Sequence, residues 1–279
     1  MGKPLQMLPA ALAMMLAGAG CQMKMPKVRM PEMLREEKPE ARLQRHVAAA
    51  VADDDDVRLL RAAADALDTA RAAGWDRHRL LVEMLACRAR ITGDEQAVRF
   101  ARLLETMRFP RSTVVEVAAA RLDSADASVA AAARALLRYA APPDPRGRVD
   151  FTHFGRYLDA HLSSPPARLV VWMYETDASA AMWQMMTVFG AQTGPEQRRA
   201  VLLAERTVAE AVWRKHNGAA DEQTTRAAAD ELRRLAGMEQ WWVRAWAAYM
   251  LARHPELRTE GVMDKLRRDD SPVVKTLAQ

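Results

Sequence analysis

The chain has 279 residues, of which 50% are hydrophobic, 28% charged and 6% aromatic, and it carries a formal net charge of +5. That composition excludes a disordered chain, and a mild positive balance without one gathered basic face is not the footprint of a nucleic-acid binder. Only Cys21 and Cys87 are present, so a disulfide framework is excluded, and the 12 Gly and 14 Pro leave turns few and tight.

Met1 to Lys3 is a short, weakly positive start, and Leu5 to Ala19 is an apolar run broken by Pro9. It is too short to cross a bilayer comfortably. The run ends in Gly18-Ala19-Gly20-Cys21. Small residues placed before a cysteine resemble a bacterial lipoprotein signal, in which the chain is cut before the cysteine and the cysteine is lipidated. The resemblance implies a signal over residues 1–20, a lipid anchor on Cys21 and an exported, membrane-anchored protein on the periplasmic side. Gln22 after the cysteine is compatible with outer-membrane sorting. Gly18 departs from the family pattern, which prefers leucine there; Leu16 stands two residues too early. An ordinary secretory signal and a buried N-terminal helix are the alternative readings of this stretch.

Residues 21–39 hold three prolines, mixed charge and no period, and read as a tether. Met23, Met25, Met30 and Met33 punctuate it. Thioethers bind Cu(I), which makes a periplasmic copper handler one alternative function. A solvated linker in a chain with 17 methionines is the simpler reading, with neither a metal nor another cofactor.

Residues 40–279 alternate apolar helical segments with short polar connections. The spacing predicts helices over 40–54, 56–73, 76–91, 94–108, 112–122 and 128–139. Asp53 to Asp56 suits helix capping better than calcium, since the alternating ligands, central Gly and closing Glu of an EF-hand are missing. Residues 142–166 break the rhythm. Leu169 to Tyr174 is apolar throughout and lacks a strand partner, so it reads as a buried helix, with a second helix from Asp177. A long helix runs from Pro195 to His216, followed by 221–236, 239–254, 256–268 and 271–277. In the 239–254 helix, Val243, Trp246, Ala247, Met250, Leu251 and His254 recur on one face. Gln240 stands at its cap, and Pro255 ends it.

A weak phrase recurs through these helices: a polar residue, Val three later, a small or apolar residue seven later. It appears as Asp126-Val129-Ala133, Gln240-Val243-Ala247 and Asp270-Val273-Leu277, with looser copies at Asp56-Leu59-Ala63 and Asp94-Ala97-Ala101. Here the chain resembles HEAT-type repeats. The resemblance implies an all-α fold, a right-handed α-solenoid of stacked antiparallel hairpins, with degenerate repeats because the copies are unevenly spaced.

Chemistry is thin. His153, Tyr157 and His161 share a helical face, but the two histidines stand about 12 Å apart at 1.5 Å per residue, too far to share an ion. No serine lies in a nucleophile-elbow context, and no glycine-rich phosphate loop exists. Cys87 reads as a small buried residue. Trp241, Trp242 and Arg244 crowd one helix, and Trp with Arg is the composition of binding hot spots; packing under a neighbouring hairpin is the competing role. Trp241 and Trp242 lie off the core stripe, while Trp172, Trp183 and Trp213 read as core. Arg134, Arg138 and Arg244 fall on second helices of hairpins, which line the concave face of a solenoid. The resulting expectation is a non-catalytic scaffold or adaptor that binds a protein or cell-envelope partner. HEAT-like solenoids also occur among DNA alkylation glycosylases, the other alternative, against which the export signal argues.

Overall fold

The computed structural model describes residues 37–279, and every regular element among them is a helix: fourteen α-helices and three 3-10 turns, with no strand. Cys21, Met23, Met25, Met30 and Met33 lie outside the described residues, as do the expected signal and nearly all of the tether.

The first six helices are α1 (Pro39–Ala52), α2 (Asp56–Ala72), α3 (Arg77–Arg88), α4 (Asp94–Thr106), α5 (Arg111–Ala119) and α6 (Ala127–Ala140). Aspartates set several starts by accepting orphan amides of the first turn. Asp55 accepts from Val57 and Arg58, Asp76 from Arg79, and Asp126 from Ser128 and Val129. The acidic run therefore caps a helix as expected, through Asp55. Its other members pair with arginines, Asp53 with Arg58 and Asp54 and Asp56 with Arg102 of α4. Gly74 stops α2 at φ +68°, a left-handed turn that suits glycine. In this part packing runs between near neighbours in the chain: α1 lies on α2, α3 and α4, and α3 lies on α5 and α6.

The remaining helices are α7 (Gly155–Asp159), α8 (Ala167–Thr176), α9 (Ala178–Val188), α10 (Pro195–His216), α11 (Glu222–Leu235), α12 (Trp241–Arg253), α13 (Val262–Arg267) and α14 (Pro272–Leu277). They close differently. The α12 helix is surrounded by α9, α11, α13 and α14, and α14 returns to pack on α8. Being enclosed, α12 buries Trp242, Val243, Ala245, Trp246, Ala247, Ala248 and Leu251 around most of its circumference. A helix apolar on every side is a core helix, and no single stripe describes it.

That enclosure corrects several expectations. Trp242 is 2% exposed although it lies off the predicted stripe, while Met250 and His254 on the stripe are only half-buried. Gln240 holds the cap position of α12, but its side chain makes no capping bond. The 256–268 segment is not one helix: a 3-10 turn at Pro255–Leu257 is separated from α13 by Gly261 at φ +74°. Asp269, not Asp270, accepts the amide of Ser271 before α14. In α4 the core is Phe100, Leu103 and Leu104, with Ala97 and Ala101 only half-buried. Trp172 is buried as expected, whereas Trp183 is 50% and Trp213 63% exposed. The apolar run over 169–174 is helical, inside α8. No described helix is long and apolar enough to cross a membrane.

Candidate functional site

The segment between α6 and α8 is irregular but closely determined. Asp144 folds it: its carboxylate accepts the amides of Arg146 (2.8 Å) and Arg148 (2.9 Å) and a two-point ion pair from the Arg148 guanidinium (3.0 and 2.9 Å). The Arg148 amide above all holds this carboxyl below the usual carboxylate range. Gly147 completes the turn at φ +77°, and an antiparallel bridge joins Pro143 to Val149. Beneath it, Phe151 and Phe154 pack with Trp172 of α8, the Phe154 and Trp172 rings stacked at 5.8 Å and 9°. These three side chains are buried and anchor the segment to the core.

The upper edge of the segment faces α9. Asp177 joins the two: one carboxylate oxygen caps α9 through the Ala180 amide (3.0 Å), and the other accepts the Val149 amide (3.2 Å). Asp150 accepts the Thr152 amide at 2.9 Å, and that bond first, with the Thr152 hydroxyl, holds its carboxyl low. Between segment and helix runs an open groove of about 970 Å³, floored by Phe151 and Gln184 and edged by Thr152, Ser179, Trp183 and Thr187. Its volume falls in the range of small-ligand sites. Trp183 exposes half of its surface at the edge, while Met182 and Met185 of the same helix are fully buried. The helix thus places one aromatic outward over a groove whose walls are tied down by backbone bonds.

The residues singled out from the sequence are not gathered at this groove. Trp241 packs edge-on against Phe189 (4.9 Å, 74°) in a smaller pocket of about 320 Å³ shared with Leu162, Thr193 and Trp242. The indole Nε1 of Trp242 is buried without a hydrogen-bond partner among the described residues. Arg244 is a clamp. Its guanidinium donates to both carboxylate oxygens of Asp269 (2.6 and 2.9 Å) and to the carbonyls of Met238 (2.9 Å) and Glu239 (2.5 Å). The Arg244 and Asp269 side chains are 16% and 7% exposed. Burial acts to raise the Asp269 carboxyl, but the Arg244 and Ser271 bonds outweigh it and the net shift is downward. Arg134 and Arg138 stand exposed on α6, a separate helix from Arg244.

The Tyr157 and His161 rings meet at 4.3 Å, tilted by 33°, and His161 Nδ1 donates to the Tyr157 carbonyl at 2.7 Å. Cys87 is buried, and burial pushes its thiol up to about 11. Gln184 carries no signal in the sequence that separates it from core, whereas Ser179, Trp183 and Thr187 fall at four-residue steps and form the exposed stripe of α9. No family model matches the chain, and no curated protein or solved structure is similar to it.

Proposed function

We propose that this protein is an exported, lipid-anchored helical scaffold that binds a protein or cell-envelope partner and performs no chemistry on it. The observation that carries the binding reading is Trp183, half exposed on the outer face of α9 at the edge of a groove held open by Asp144, Asp150 and Asp177. An exposed aromatic on a fixed wall is the usual form of a binding anchor. The groove carboxylates are spent as acceptors for backbone amides, and those of Asp144 and Asp150 are held low. That suits shape-holding, whereas a general acid needs a carboxyl raised towards neutrality. Stacked antiparallel hairpins are proposed for Pro39–Ala140, where α1 with α2 and α5 with α6 form neighbouring pairs. The return of α14 to α8 gives the second half a closed end in place of further stacking.

Anchoring rests on Gly18-Ala19-Gly20-Cys21. One experiment addresses both claims: a photo-crosslinking residue at position 187, which lines the groove and leaves Trp183 in place, in the otherwise native chain and in Cys21→Ser, expressed in a diderm bacterium. The chain with Cys21 intact is expected in the membrane fraction with envelope material crosslinked at 187, and Cys21→Ser is expected to leave that fraction. Unchanged partitioning and processing of Cys21→Ser defeats the anchor. A clean band with no adduct at position 187 defeats the groove as the binding surface.

A further inference from the structure

We propose that the outer face of α10 is the contact between two copies of this chain, paired as antiparallel helices about a two-fold axis beside residue 208. The contact does not depend on the groove at α9. The α10 helix has 22 residues and packs chiefly on α11. Its inner stripe, Val201, Ala204, Val208 and Ala211, is buried. The opposite stripe runs Arg199, Leu203, Arg206, Glu210 and Trp213 to Asn217 at the cap, and all six are exposed. Their steps alternate four and three residues, the spacing at which one helix presents a seam to another. Leu203 is 64% and Trp213 63% exposed. A single exposed apolar side chain is ordinary. Two large ones on one seam, with opposite charges ordered between them, form a surface that can recognise a copy of itself.

The order of the stripe carries the argument. Leu203 and Trp213 stand five residues to either side of position 208, Arg206 and Glu210 two, and Arg199 and Asn217 nine. A two-fold axis at 208 exchanges the members of each pair, as an isologous contact requires. Leu203 of one copy then meets Trp213 of the other, Arg206 meets Glu210, and Arg199 meets Asn217. The free atoms agree. Glu210 Oε1 accepts both bonds from Arg214 (3.0 and 2.9 Å), and Oε2 has no partner among the described residues. Neither Arg199 nor Arg206 has an ion pair among them. Asn217 donates Nδ2 to the Trp213 carbonyl (2.8 Å), which leaves Oδ1 for a donor. A parallel pair would set Arg199 and Arg206 against their own copies, and an anionic lipid surface would meet Glu210 in the middle of the face. Leu203 and Trp213 supply the apolar contact, while the charges fix direction and register more than affinity.

The test is sedimentation equilibrium of the full chain in a density-matched nonionic detergent, which reads the mass of the protein alone. A concentration-dependent dimer is expected. Trp213→Ala removes one contact on each side of the axis and should raise the dissociation constant about thirtyfold. Arg206→Glu and Glu210→Arg each set like charges against one another twice, and each should weaken the dimer about a hundredfold. Thermal melts check that both variants fold. Mixed in equal amounts, the two variants should pair with each other. The acid placed at 206 in one chain then faces the base placed at 210 in the other, and the native Glu210 of the first faces the native Arg206 of the second. Leu60→Ala, on α2, should change nothing. A monomer at every concentration up to about 0.3 mM overturns the proposal. So does a dimer that survives Arg206→Glu or Trp213→Ala, and so do two charge variants that stay apart on mixing. A monomer whose Cys21→Ser form floats with phosphatidylglycerol vesicles, and stops floating in Arg206→Glu, overturns it and gives the face to an anionic lipid surface.

Discussion

Helices α1–α6 and helices α8–α14 are made of similar lengths of similar sequence, yet they close their cores by different means. In the first group each helix leans on near neighbours, with small and branched side chains such as Ala66, Leu103, Val114 and Ala133 between them. In the second, a short terminal helix returns to α8, and α12 is enclosed with Trp242 and Trp246 inside. The difference shows where stability is local and where it depends on a distant stretch of chain. A helix of six residues has no stability of its own. The place of α14 comes from Val273, Val274, Leu277 and Ala278, all buried where it meets α8 and α12.

Removing residues 271–279 is the strongest test of that contrast. Losing two valines, a leucine and an alanine from the core should cost about 5 kcal/mol, at roughly 1.5–3 kcal/mol for each large apolar side chain. Hydrogen exchange read residue by residue should then show protection lost in α8 and α12 and kept in α1–α4. Equal loss of protection in α1–α4 would mean that the two groups unfold as one, and the contrast would be gone.

Arg244 gives the next largest effect. Its Ala variant leaves Asp269 nearly buried without its cation and frees the carbonyls of Met238 and Glu239. The expected cost is about 3 kcal/mol, or a fall in Tm of roughly 6–12 °C for a domain of this size. The pH dependence has a definite sign. The folded Asp269 carboxyl lies below its ordinary value, so its stabilisation is present above about pH 4 and is lost as pH falls through the folded value. Arg244→Ala should therefore flatten the acid limb of stability, and Tm measured from pH 6 to pH 2 checks it. A variant that keeps the native acid limb would show that the clamp does not hold Asp269 ionised.

The same contrast marks what could be read from sequence. Helices and caps in the first group were legible, since Asp55, Asp76 and Asp126 start them by local bonds that depend on a few residues. The return of α14 was not, because no local spacing encodes which distant helix a short apolar segment meets. Trp213 was within reach. It stands two residues after Ala211 of the buried Val201-Ala204-Val208-Ala211 stripe, about 200° around the helix and so on the far side. Trp183 was within reach too: Ser179 and Thr187 stand one turn to either side of it and mark an exposed face of α9. Trp242 misleads in the other direction: an enclosing set of helices, invisible from period, turns an off-stripe position into core. For Arg244 the sequence shows only a cation among tryptophans, and the four acceptors that its guanidinium meets come from Met238, Glu239 and the more distant Asp269.

The smallest expected stability change distinguishes the surfaces of the two groups. The first group exposes Val57 (66%), Leu60 (61%) and Val98 (63%), and the second exposes Leu203 (64%), Trp213 (63%) and, at the groove, Trp183 (50%). Exposed side chains outside special contacts change stability by about 0.5 kcal/mol or less when truncated. Leu60→Ala and Trp183→Ala should therefore both melt within about 2 °C of the native protein. They should part in binding: Leu60 faces solvent on an open helix, whereas Trp183 borders a groove of about 970 Å³. Only Trp183→Ala should lose the adduct formed by a crosslinker at position 187. A Trp183→Ala variant that instead melts several degrees low would place the indole among the residues that hold α9 in position, and the second group would then hold its core together with its edge as well as its interior.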